Sequence, residues 1–448
     1  MARTFITGSG KTERYLHLAS LHLGVHKGAR RLWLEGRRLT DVGFDRGVRY
    51  QAAVTGGALH LKLSPQGDHK VSGKGARPVV DLLTRQLGDV ERVEVRFLRG
   101  EVLVSVHPLD QARLARLARL NARLGAGQPV RLGSLSHGGG VASEALLRGL
   151  DRAGLAAELG FALDIDPDYL EQSLGHNPIW ADGGVSVEAD LGEVDPGALP
   201  LVEVLEAGLP CVAASKAGRS KKHLSRPEED RQVADLAAAF TDVIRATQPA
   251  VVLLENVPEY ADSASADLIR RRLERWGYDL HERVIEGLAW SLENRRRWIL
   301  VAVTRGLAID LEALIGGSRP AALGEVLDAV PADDPSWRTF AHLAAKEQRD
   351  LAKGNGFAQQ LLDPASVRVP TLRRGYQKGG STDPRVAHPA RPGYSRLLTP
   401  AEHARIKGIP PVLVEGTSDK RAHQILGQSV IAPAFVGLGE LIAQAVSA

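Results

Sequence analysis

The stretch Val130-Arg131-Leu132-Gly133-Ser134-Leu135-Ser136-His137-Gly138-Gly139-Gly140 decides the fold of this chain. Its first six residues form a short, mostly apolar run, which is typical of a buried strand. Three glycines end that run, and a helical pattern follows through Leu150. A second strand-like run, Gly160-Phe161-Ala162-Leu163-Asp164-Ile165-Asp166, ends in carboxylates. Strand, glycine turn, helix and strand in this order predict the first crossover of a parallel α/β sheet.

The same alternation continues to about residue 304. Further strands are predicted at 202–205, 250–254 and 298–303, and helices at 227–247 and 264–276 lie between them. This alternation predicts a doubly wound, Rossmann-like α/β sheet. Ligands of such sheets bind beyond the carboxyl ends of the strands, and most residues singled out below follow a strand.

We divide the chain into five segments by composition and pattern. Residues 1–109 form a basic β-rich module, 110–128 a basic amphipathic helix and linker, and 129–304 the α/β domain. Residues 305–395 form an irregular basic domain, and 396–448 return to the α/β domain. Alternation predicts strands of a small barrel-like module at 31–34, 50–54, 58–63, 93–97 and 102–106.

The helix predicted at 110–124 carries two stripes. The leucine stripe comprises Leu114, Leu117, Leu120 and Leu124, and the arginine stripe beside it comprises Arg113, Arg116, Arg119 and Arg123. The pattern predicts leucines packed on a domain and arginines in water, with phosphate contact as the alternative.

Bulk composition is that of an ordinary globular chain, with 44% apolar and 25% charged residues. The single cysteine excludes an intrachain disulfide and a cysteine-built zinc site, so no metal is expected. With no membrane-length apolar run, these features favour a cytoplasmic location and no membrane partner. Residues 1–128 hold 22 Lys/Arg against 11 Asp/Glu, although the whole chain is only +4. This asymmetry favours a polyanion partner over a merely solvated basic face.

The turn after the first strand is a candidate ligand cradle. Gly138 and Gly140 let the backbone approach a ligand closely. Asp164 is placed to accept hydrogen bonds from ribose hydroxyls, and Asp190 to contact an adenine amino group. Each feature alone is common in ordinary turns and helix caps. In this order they favour one bound nucleoside, because the Gly-x-Gly-x-x-Gly spacing of dinucleotide sites is missing.

Cys211, in Gly208-Leu209-Pro210-Cys211, is the candidate nucleophile. A lone cysteine is more often buried and inert. A basic loop follows it, and positive charge there would favour the reactive thiolate. That loop could also bind a phosphate backbone or simply be solvated; its candidate DNA contacts are Ser215, Lys216, Arg219, Lys221 and Lys222.

Glu255, in Glu255-Asn256-Val257, and two arginines complete the candidate chemistry. A protonated glutamate can donate to a ring nitrogen, and a carboxylate can accept from an exocyclic amine, which together read a cytosine edge. Arg295 and Arg297 alternate at a strand start and point to one side, where they could hold a carbonyl oxygen. The alternatives are an ordinary turn and salt-bridged surface arginines.

From about residue 130 to its end, the chain resembles the DNA (cytosine-5)-methyltransferase family. The Pro-Cys segment, the Glu-Asn-Val and Glu293-Asn294-Arg295-Arg296-Arg297 match successive family motifs. The stretch from Arg396 through Thr399 to Gly408 is similar to a late family helix, and Gly427-Gln428-Ser429-Val430 to the final motif. The segment 305–395 occupies the place of the target-recognition domain.

The resemblance implies a class I methyltransferase that uses S-adenosylmethionine and a cytosine flipped out of double-stranded DNA. Cys211 would add to C6, Glu255 would engage N3 and the amino group, and Arg297 would hold the carbonyl oxygen, with Arg295 supporting or sharing that role. A cognate restriction endonuclease is a possible partner. The implied cofactor residues are Leu135, Ser136, Gly138, Gly140, Asp164, Ile165, Asp190, Gln428 and Val430. Further candidate DNA contacts are Arg373, Arg374 and Lys378.

Several positions depart from the family pattern. Ser136 replaces an aromatic residue, Val212 a glutamine, Ala214 a phenylalanine and Gln428 an asparagine. These changes keep open, as an alternative function, a catalytically weak or inactive DNA-binding regulator on a methyltransferase fold. An RNA cytosine-5 methyltransferase is the other alternative. The first module loosely resembles the small β-barrels of SymE-like and AbrB-like proteins, which implies dimerisation or nucleic-acid binding.

Overall fold

The computed structural model describes residues 3–6, 12–75, 77–88, 90–210 and 231–447. These residues form two compact units, Met1–Ala115 and Arg116–Ala448. The predicted nucleophile Cys211 and the basic loop from Ser215 to Lys222 lie outside the described residues.

The first unit is built of short antiparallel strands. They are β1 (Arg3–Ile6), β2 (Thr12–Tyr15), β3 (His17–His22), β4 (Gly24–His26), β5 (Ala29–Glu35), β6 (Arg49–Thr55), β7 (Ala58–Leu63), β8 (His69–Lys70), β9 (Ser72–Lys74), β10 (Arg77–Leu83), β11 (Arg92–Leu98) and β12 (Glu101–Val106). A short helix, α1 (Arg37–Thr40), follows β5. All five strands predicted for this module are confirmed.

Two sheets of this unit share one hydrophobic core. One sheet has the order β3-β11-β12-β7-β6-β8 and the other the order β4-β5-β10-β9. Leu32 and Val80 of the smaller sheet pack with Leu61, Val95 and Val104 of the larger one. Buried residues alternate with half-buried ones along β11 and along the first four residues of β12, which explains how one face of each strand reaches this core.

The second unit is organised by a seven-stranded sheet. Its strands and a short neighbour are β13 (Val130–Leu135), β14 (Ala157–Asp164), β15 (Val185–Glu188), β16 (Val204–Gly208), β17 (Val251–Asn256), β18 (Tyr278–Glu286), β19 (Glu293–Asn294) and β20 (Arg296–Thr304). The sheet order is β15-β14-β13-β16-β17-β20-β18. The first five strands are parallel, and β20 runs antiparallel to both of its neighbours. The predicted doubly wound α/β fold is confirmed.

Helices cover both faces of this sheet. The helices after α1 are α2 (Pro108–Gly125), which begins in the first unit, α3 (Val141–Arg152), α4 (Pro167–His176), α5 (Arg231–Thr247), α6 (Ala264–Arg275), α7 (Ala341–Ala352), α8 (Pro400–Ile406), α9 (Asp419–Gln428) and α10 (Ala432–Ser447). Of these, α7 belongs to the segment 305–395. Along β17, Val251 and Leu253 belong to the core under α3 and α10, whereas Val252 and Leu254 belong to the core under α5 and α6. Apolar residues on both sides of a strand are what a doubly covered parallel sheet requires.

Two glycines let α3 and α10 cross closely. A Cβ added at Gly149 would lie 2.1 Å from the Val436 carbonyl oxygen, and one at Gly439 would lie 2.4 Å from the Leu146 carbonyl oxygen. Glycine is therefore required at both positions if the helices keep this distance. Among the described residues, no single helix is long and apolar enough to cross a membrane, and only the bent pair α9 and α10 reaches that length and apolar content together.

Residues 305–395 contain more structure than the prediction of an irregular region implied. Beside α7 lie the strands β21 (Arg338–Thr339), β22 (Leu361–Leu362), β23 (Val369–Pro370), β24 (Arg385–Ala387) and β25 (Tyr394–Arg396). Four of them form a sheet in the order β21-β25-β24-β22, and β23 pairs with β19. These strands have two or three residues each, too few to produce a readable periodicity in the sequence.

The arginines of α2 are not in water, so this prediction was wrong. The side chain of Arg116 is only 2% exposed and donates to Thr304 Oγ1, Gln248 Oε1 and the Trp276 carbonyl. Arg119 and Arg123 both pair with the fully buried carboxylate of Glu203. Buried acceptors at the amino-terminal ends of the parallel strands stabilise these guanidinium groups. These three cations are therefore engaged within the second unit, and Leu114 is exposed instead.

We predict that Arg116→Leu lowers the free energy of unfolding by about 3 kcal/mol, because it leaves buried oxygens without a donor. Urea unfolding followed by tryptophan fluorescence measures this, since five of the six tryptophans lie beyond residue 116. The matched control is Arg271→Leu, at an exposed position of α6, which should change stability by less than about 0.5 kcal/mol. Equal effects of the two substitutions would contradict the role of Arg116.

Candidate active site

The candidate active site lies at the carboxyl ends of the parallel strands. In the pairing of β16 with β17, Gly208 is directly opposite Glu255. Leu209 and Pro210 continue from β16 at this edge and lead to Cys211. The segment before the predicted nucleophile and the predicted acid therefore leave neighbouring strands side by side.

Glu255 and Arg297 form an ion pair at this edge. Arg297 Nε lies 2.6 Å from Glu255 Oε1, and their side chains are only 18% and 14% exposed. Arg297 also donates from Nη1 to the Arg296 carbonyl oxygen, which fixes the guanidinium plane. The other carboxylate oxygen, Oε2, faces Gly208, where an added Cβ would lie 3.9 Å away. One oxygen of Glu255 is thus held by the arginine, and the other points toward the strand that leads to Cys211.

Asn256 connects the acid to the nucleophile segment and was not among the predicted site residues. Its buried side chain donates from Nδ2 to the Leu209 carbonyl oxygen at 3.1 Å and accepts from the Val257 amide. The amide thereby fixes the backbone two residues before Cys211. Its place in the Glu-Asn-Val tripeptide was the available signal.

Arg295 differs from Arg297 in its surroundings. Its guanidinium is buried and donates to the carbonyl oxygens of Leu372 and Gly427, and it pairs with Glu293 at 3.3 Å. Burial lowers the pKa of Arg295, and the charge of Arg297 lowers it further. Since protein groups enclose the guanidinium, the geometry favours the supporting role over a shared hold on a substrate oxygen.

A buried lysine, which was not among the predicted site residues, extends this supporting cluster. Lys407 Nζ donates to the carbonyl oxygens of Leu426 and Ser429 and lies 3.6 Å from Glu293 Oε2. Burial lowers the pKa of Lys407 well below its ordinary value, and the nearby charge of Arg295 adds to the effect. Glu293 also accepts from the Leu372 amide. The cluster thereby joins β19, the residue 372 region and the end of α9.

The predicted cofactor turn is held by the carboxylate of Asp164. Gly138 donates its amide to Asp164 Oδ2 at 2.6 Å, and the Asp166 amide donates to Oδ1 at 2.9 Å. Burial raises the pKa of Asp164, and these amides oppose the shift. Ser136 and Gly138 have left-handed backbone conformations, with φ of 54° and 58°. The turn and the end of β14 therefore form one rigid unit.

The other predicted cofactor residues have different surroundings. Ile165 is 64% exposed beside Asp164, and Asp190 accepts from the Gly192 amide in a local turn. Gln428 is exposed and donates to the Tyr169 hydroxyl at 2.8 Å. Leu135 and Val430 are both buried in the hydrophobic cores. The structure thus places Ile165, Asp190 and Gln428 where part of each side chain is open to solvent.

A polar network lies beneath the cofactor turn and was missed by the sequence analysis. It contains His137, Ser134, Ser143 and Ser173, and it ends at Glu206 on β16. Burial lowers the pKa of His137 to about 3. Burial also raises the pKa of Glu206 to about 7, and the two serine hydroxyls that it accepts oppose the rise. A glutamate between Leu205 and Ala207 in a strand offered no pattern from which to infer these partners.

The described candidate DNA contacts lie at the surface of the second unit. Arg373, Arg374 and Lys378 are all exposed. Arg373 pairs with Asp383 at 2.9 Å, and Arg374 lies over the Tyr169 ring at 5.9 Å. Arg385, one of the basic residues of this region, is buried and stacks on Phe340, so its charge is not at the surface.

The strand order, with its one antiparallel strand beside a parallel set, defines a class I methyltransferase fold. The family model of C-5 cytosine-specific DNA methylases matches residues 149–444. The chain therefore belongs to this family, and it is a DNA cytosine-5 methyltransferase. The chain is 27% identical over 277 residues to the type II methyltransferase M.NlaX of Neisseria lactamica, covering 59% of this chain and 84% of that protein. It is also 27% identical over 314 residues to a DNA-cytosine methyltransferase of Escherichia coli K12, covering 58% and 64%.

Solved structures support the fold assignment. The S. pombe Dnmt2 methyltransferase superposes with a TM-score of 0.54 at 17% identity, covering 71% of this chain and 98% of that one. The Entamoeba histolytica methyltransferase EhMeth superposes with a TM-score of 0.55 at 16% identity, covering 70% and 98%. At these identities the similarity concerns the fold alone.

The titration of Glu206 predicts a pH-dependent stability. The ordinary glutamate pKa is 4.5 and that of folded Glu206 is about 7. Between these values the folded chain keeps a proton that the unfolded chain has released, so stability falls as pH rises through this window and is constant above it. Glu206→Gln removes this loss. The free energy of unfolding of the variant minus that of the wild type should therefore be roughly 2–3 kcal/mol larger at pH 8 than at pH 5.

Urea unfolding at the two pH values measures this difference. The control Glu312→Gln changes a glutamate whose side chain is 83% exposed and should leave the wild-type pH dependence intact. If the Glu206→Gln curve kept the wild-type slope with pH, the raised pKa of Glu206 would be refuted.

Proposed function

We propose that this enzyme methylates C5 of a cytosine in double-stranded DNA through a covalent bond between Cys211 and C6, with S-adenosylmethionine as methyl donor. The observation that carries the proposal is the 2.6 Å pair of Glu255 and Arg297 beside Gly208. This pair supports an acid and a cation beside the carboxyl end of β16, where the segment that leads to the nucleophile begins.

We assign separate roles on the cytosine ring to the nucleophile, the acid and the cation. Addition of the Cys211 thiolate to C6 places electron density on the ring, and a proton donated by Glu255 to N3 stabilises it. After C5 has been methylated, a base removes the C5 proton and the bond between Cys211 and C6 breaks, which restores the aromatic ring and frees the thiolate. Glu255 Oε2 is the oxygen of the pair that Arg297 does not hold, so it is available to N3 and the amino group. Arg297 would hold the carbonyl oxygen, and Arg295 would fix the strand that carries Arg297.

The residues around the turn fit S-adenosylmethionine. Asp164 keeps lone pairs that the Gly138 and Asp166 amides do not use, and these can accept from ribose hydroxyls. Ile165 offers an exposed apolar side chain beside that carboxylate, which suits the face of an adenine ring. Asp190 still has a carboxylate oxygen free of the local turn for the adenine amino group. When bound, S-adenosylmethionine supplies an electrophilic methyl group on a sulfonium centre.

The exposed cations Arg373, Arg374 and Lys378 fit phosphate contacts from the region that we assign to target recognition, 305–395. The loop from Ser215 to Lys222 would contribute further contacts. The relatives named as type II methyltransferases favour a cognate restriction endonuclease as partner. A single cysteine and a DNA substrate favour a cytoplasmic location.

We predict that Cys211→Ala abolishes transfer of labelled methyl from S-adenosylmethionine to duplex DNA of diverse sequence, whereas the wild type labels C5 of cytosine. Removal of the nucleophile leaves C5 unactivated, so the loss should be at least about a thousandfold. Base-resolution mapping of the wild-type product gives the recognition sequence. The control is DNA binding by Cys211→Ala, which should remain within about threefold of the wild type.

The alternatives give different results in the same assay. A wild type that binds DNA and S-adenosylmethionine separately, yet labels no duplex, would establish the DNA-binding regulator. Label on transfer RNA and none on duplex DNA would establish the RNA methyltransferase.

We also propose that the first unit binds DNA phosphates, with dimerisation as the alternative. Arg37, whose side chain is 92% exposed, and the exposed Arg38 and Lys70 are the residues that favour this role. Arg116, Arg119 and Arg123 of α2 cannot serve it, because buried acceptors of the second unit already engage them.

We predict that replacing Arg37, Arg38 and Lys70 by glutamine in the full chain weakens DNA binding and flattens the plot of log K against log salt. Each lost phosphate contact lowers the slope by about 0.9. The matched control replaces Arg245, Arg271 and Arg275, exposed arginines of α5 and α6, by glutamine. An unchanged slope in the first variant, or an equal change in both, would exclude phosphate binding by the module.

A further inference from the structure

Glu206 is a buried carboxylate at the centre of the sheet, two residues before Gly208 on β16. Its side chain is only 4% exposed. Because side chains alternate along a strand, Glu206 and Gly208 face the same side, where Gly208 meets Glu255. Ser134 on β13 and Ser143 on α3 contact it from the other direction. The carboxylate therefore lies between the cofactor turn and the active-site acid.

The hydrogen bonds around Glu206 run in one direction. Ser134 Oγ and Ser143 Oγ both donate to Glu206 Oε1, at 2.5 and 2.8 Å. Each hydroxyl has one proton, so the Ser134 oxygen must accept from His137 Nδ1, which lies 2.8 Å away. His137 Nε2 then accepts from Ser173 Oγ at 2.9 Å. This pattern requires a neutral histidine and an acceptor at Glu206, and it directs every donor toward the carboxylate.

No cation compensates Glu206 within the part of the chain that the structure describes. Its hydrogen-bond partners there are two serines, and no Lys, Arg or His nitrogen lies within 4 Å of its carboxylate. His137, the nearest titratable group of the turn, is neutral because burial lowers its pKa to about 3. Glu255 adds a repulsive negative charge. A buried, unpaired carboxylate is costly to retain, and a bound cation would offset that cost.

We propose that Glu206 is a specificity-determining residue whose negative charge favours the cationic methyl donor over its neutral product. The inference rests on the proposed use of S-adenosylmethionine. The donor carries a sulfonium charge, and S-adenosylhomocysteine, which remains after transfer, does not. An ionised carboxylate between the cofactor turn and Glu255 distinguishes the two by charge alone, so that donor binds and product leaves.

The charge of Glu206 also makes this preference depend on pH. Donor affinity should rise from pH 6 to pH 8 as Glu206 ionises, and product affinity should not. At pH 7, donor binding should release up to about half a proton more than product binding, because bound cation favours the ionised form. Among the described residues, the elements packed around this site carry further charged or titratable groups: Arg131, His137, Glu144, Arg148, Asp151, Arg152, Glu158, Asp164, Glu255 and Arg297. Of these, only Glu255 acts directly on Glu206.

The test is isothermal titration calorimetry of the full-length wild type and Glu206→Gln with each ligand, in buffers of different ionisation enthalpy. The glutamine oxygen can still accept from both serines. Its donor affinity at pH 8 should fall roughly tenfold, the effect of one partly screened charge, while product affinity stays within about twofold. In this variant, the difference in proton release between donor binding and product binding should be smaller than in the wild type. Any difference left in the variant comes from titratable groups of the ligands themselves.

Glu144→Gln is the matched control, since it removes a buried carboxyl of α3 that pairs with Arg148 instead. Its ratio of donor to product affinity should equal that of the wild type. Equal pH dependence for both ligands in the wild type would overturn the role of Glu206, and this result does not depend on any variant folding. Failure of the wild type to bind either ligand would overturn the proposed function and this inference with it.

Discussion

Parallel hydrogen bonding among β13, β14, β16 and β17 brings four chain segments to one edge of the sheet. The register places Gly208 beside Glu255 and Asp164 near the Gly138 amide, although these residues are far apart in sequence. Because the strands are covered on both faces, their positions are fixed by two hydrophobic cores. The Gly138 turn, Asp164 and Glu255 depend on this shared edge, and the segment that leads to Cys211 begins there.

Buried carboxylates attach the remaining segments to that sheet. At the amino-terminal ends of the parallel strands, Glu203 pairs with three arginines, two of them from α2. On β19, Glu293 pairs with Arg295 and Lys407, and these two cations donate to carbonyl oxygens at the end of α9. Removal of one partner from such a cluster leaves an uncompensated charge, so each is stabilising only when complete. Glu206 differs because its described partners carry no positive charge, and this is the reason to infer a ligand that does.

The sequence predicted the sheet because its strands are apolar, bounded by glycine or polar residues, and long enough to show a pattern. The range 130–135 coincides with β13. The proximity of Glu255 and Arg297 followed from family motifs and from the convergence of strand ends. The burial of Arg116 did not follow, because its acceptors, among them Thr304, are distant in sequence. The buried network of Glu206 could not be predicted for the same reason, because its serine partners lie on two other elements.

The central claim is a covalent bond between Cys211 and the target base, and trapping with 5-fluorocytosine tests it most directly. Fluorine at C5 leaves no proton to remove after methyl transfer, so the bond between sulfur and C6 should persist. The wild type, incubated with S-adenosylmethionine and duplex DNA that contains 5-fluorocytosine throughout, should give a complex stable to denaturation. Mass spectrometry should then find a methylated fluorocytosine on the peptide that contains Cys211. Methylated DNA without a protein adduct, or an adduct on another residue, would contradict the account.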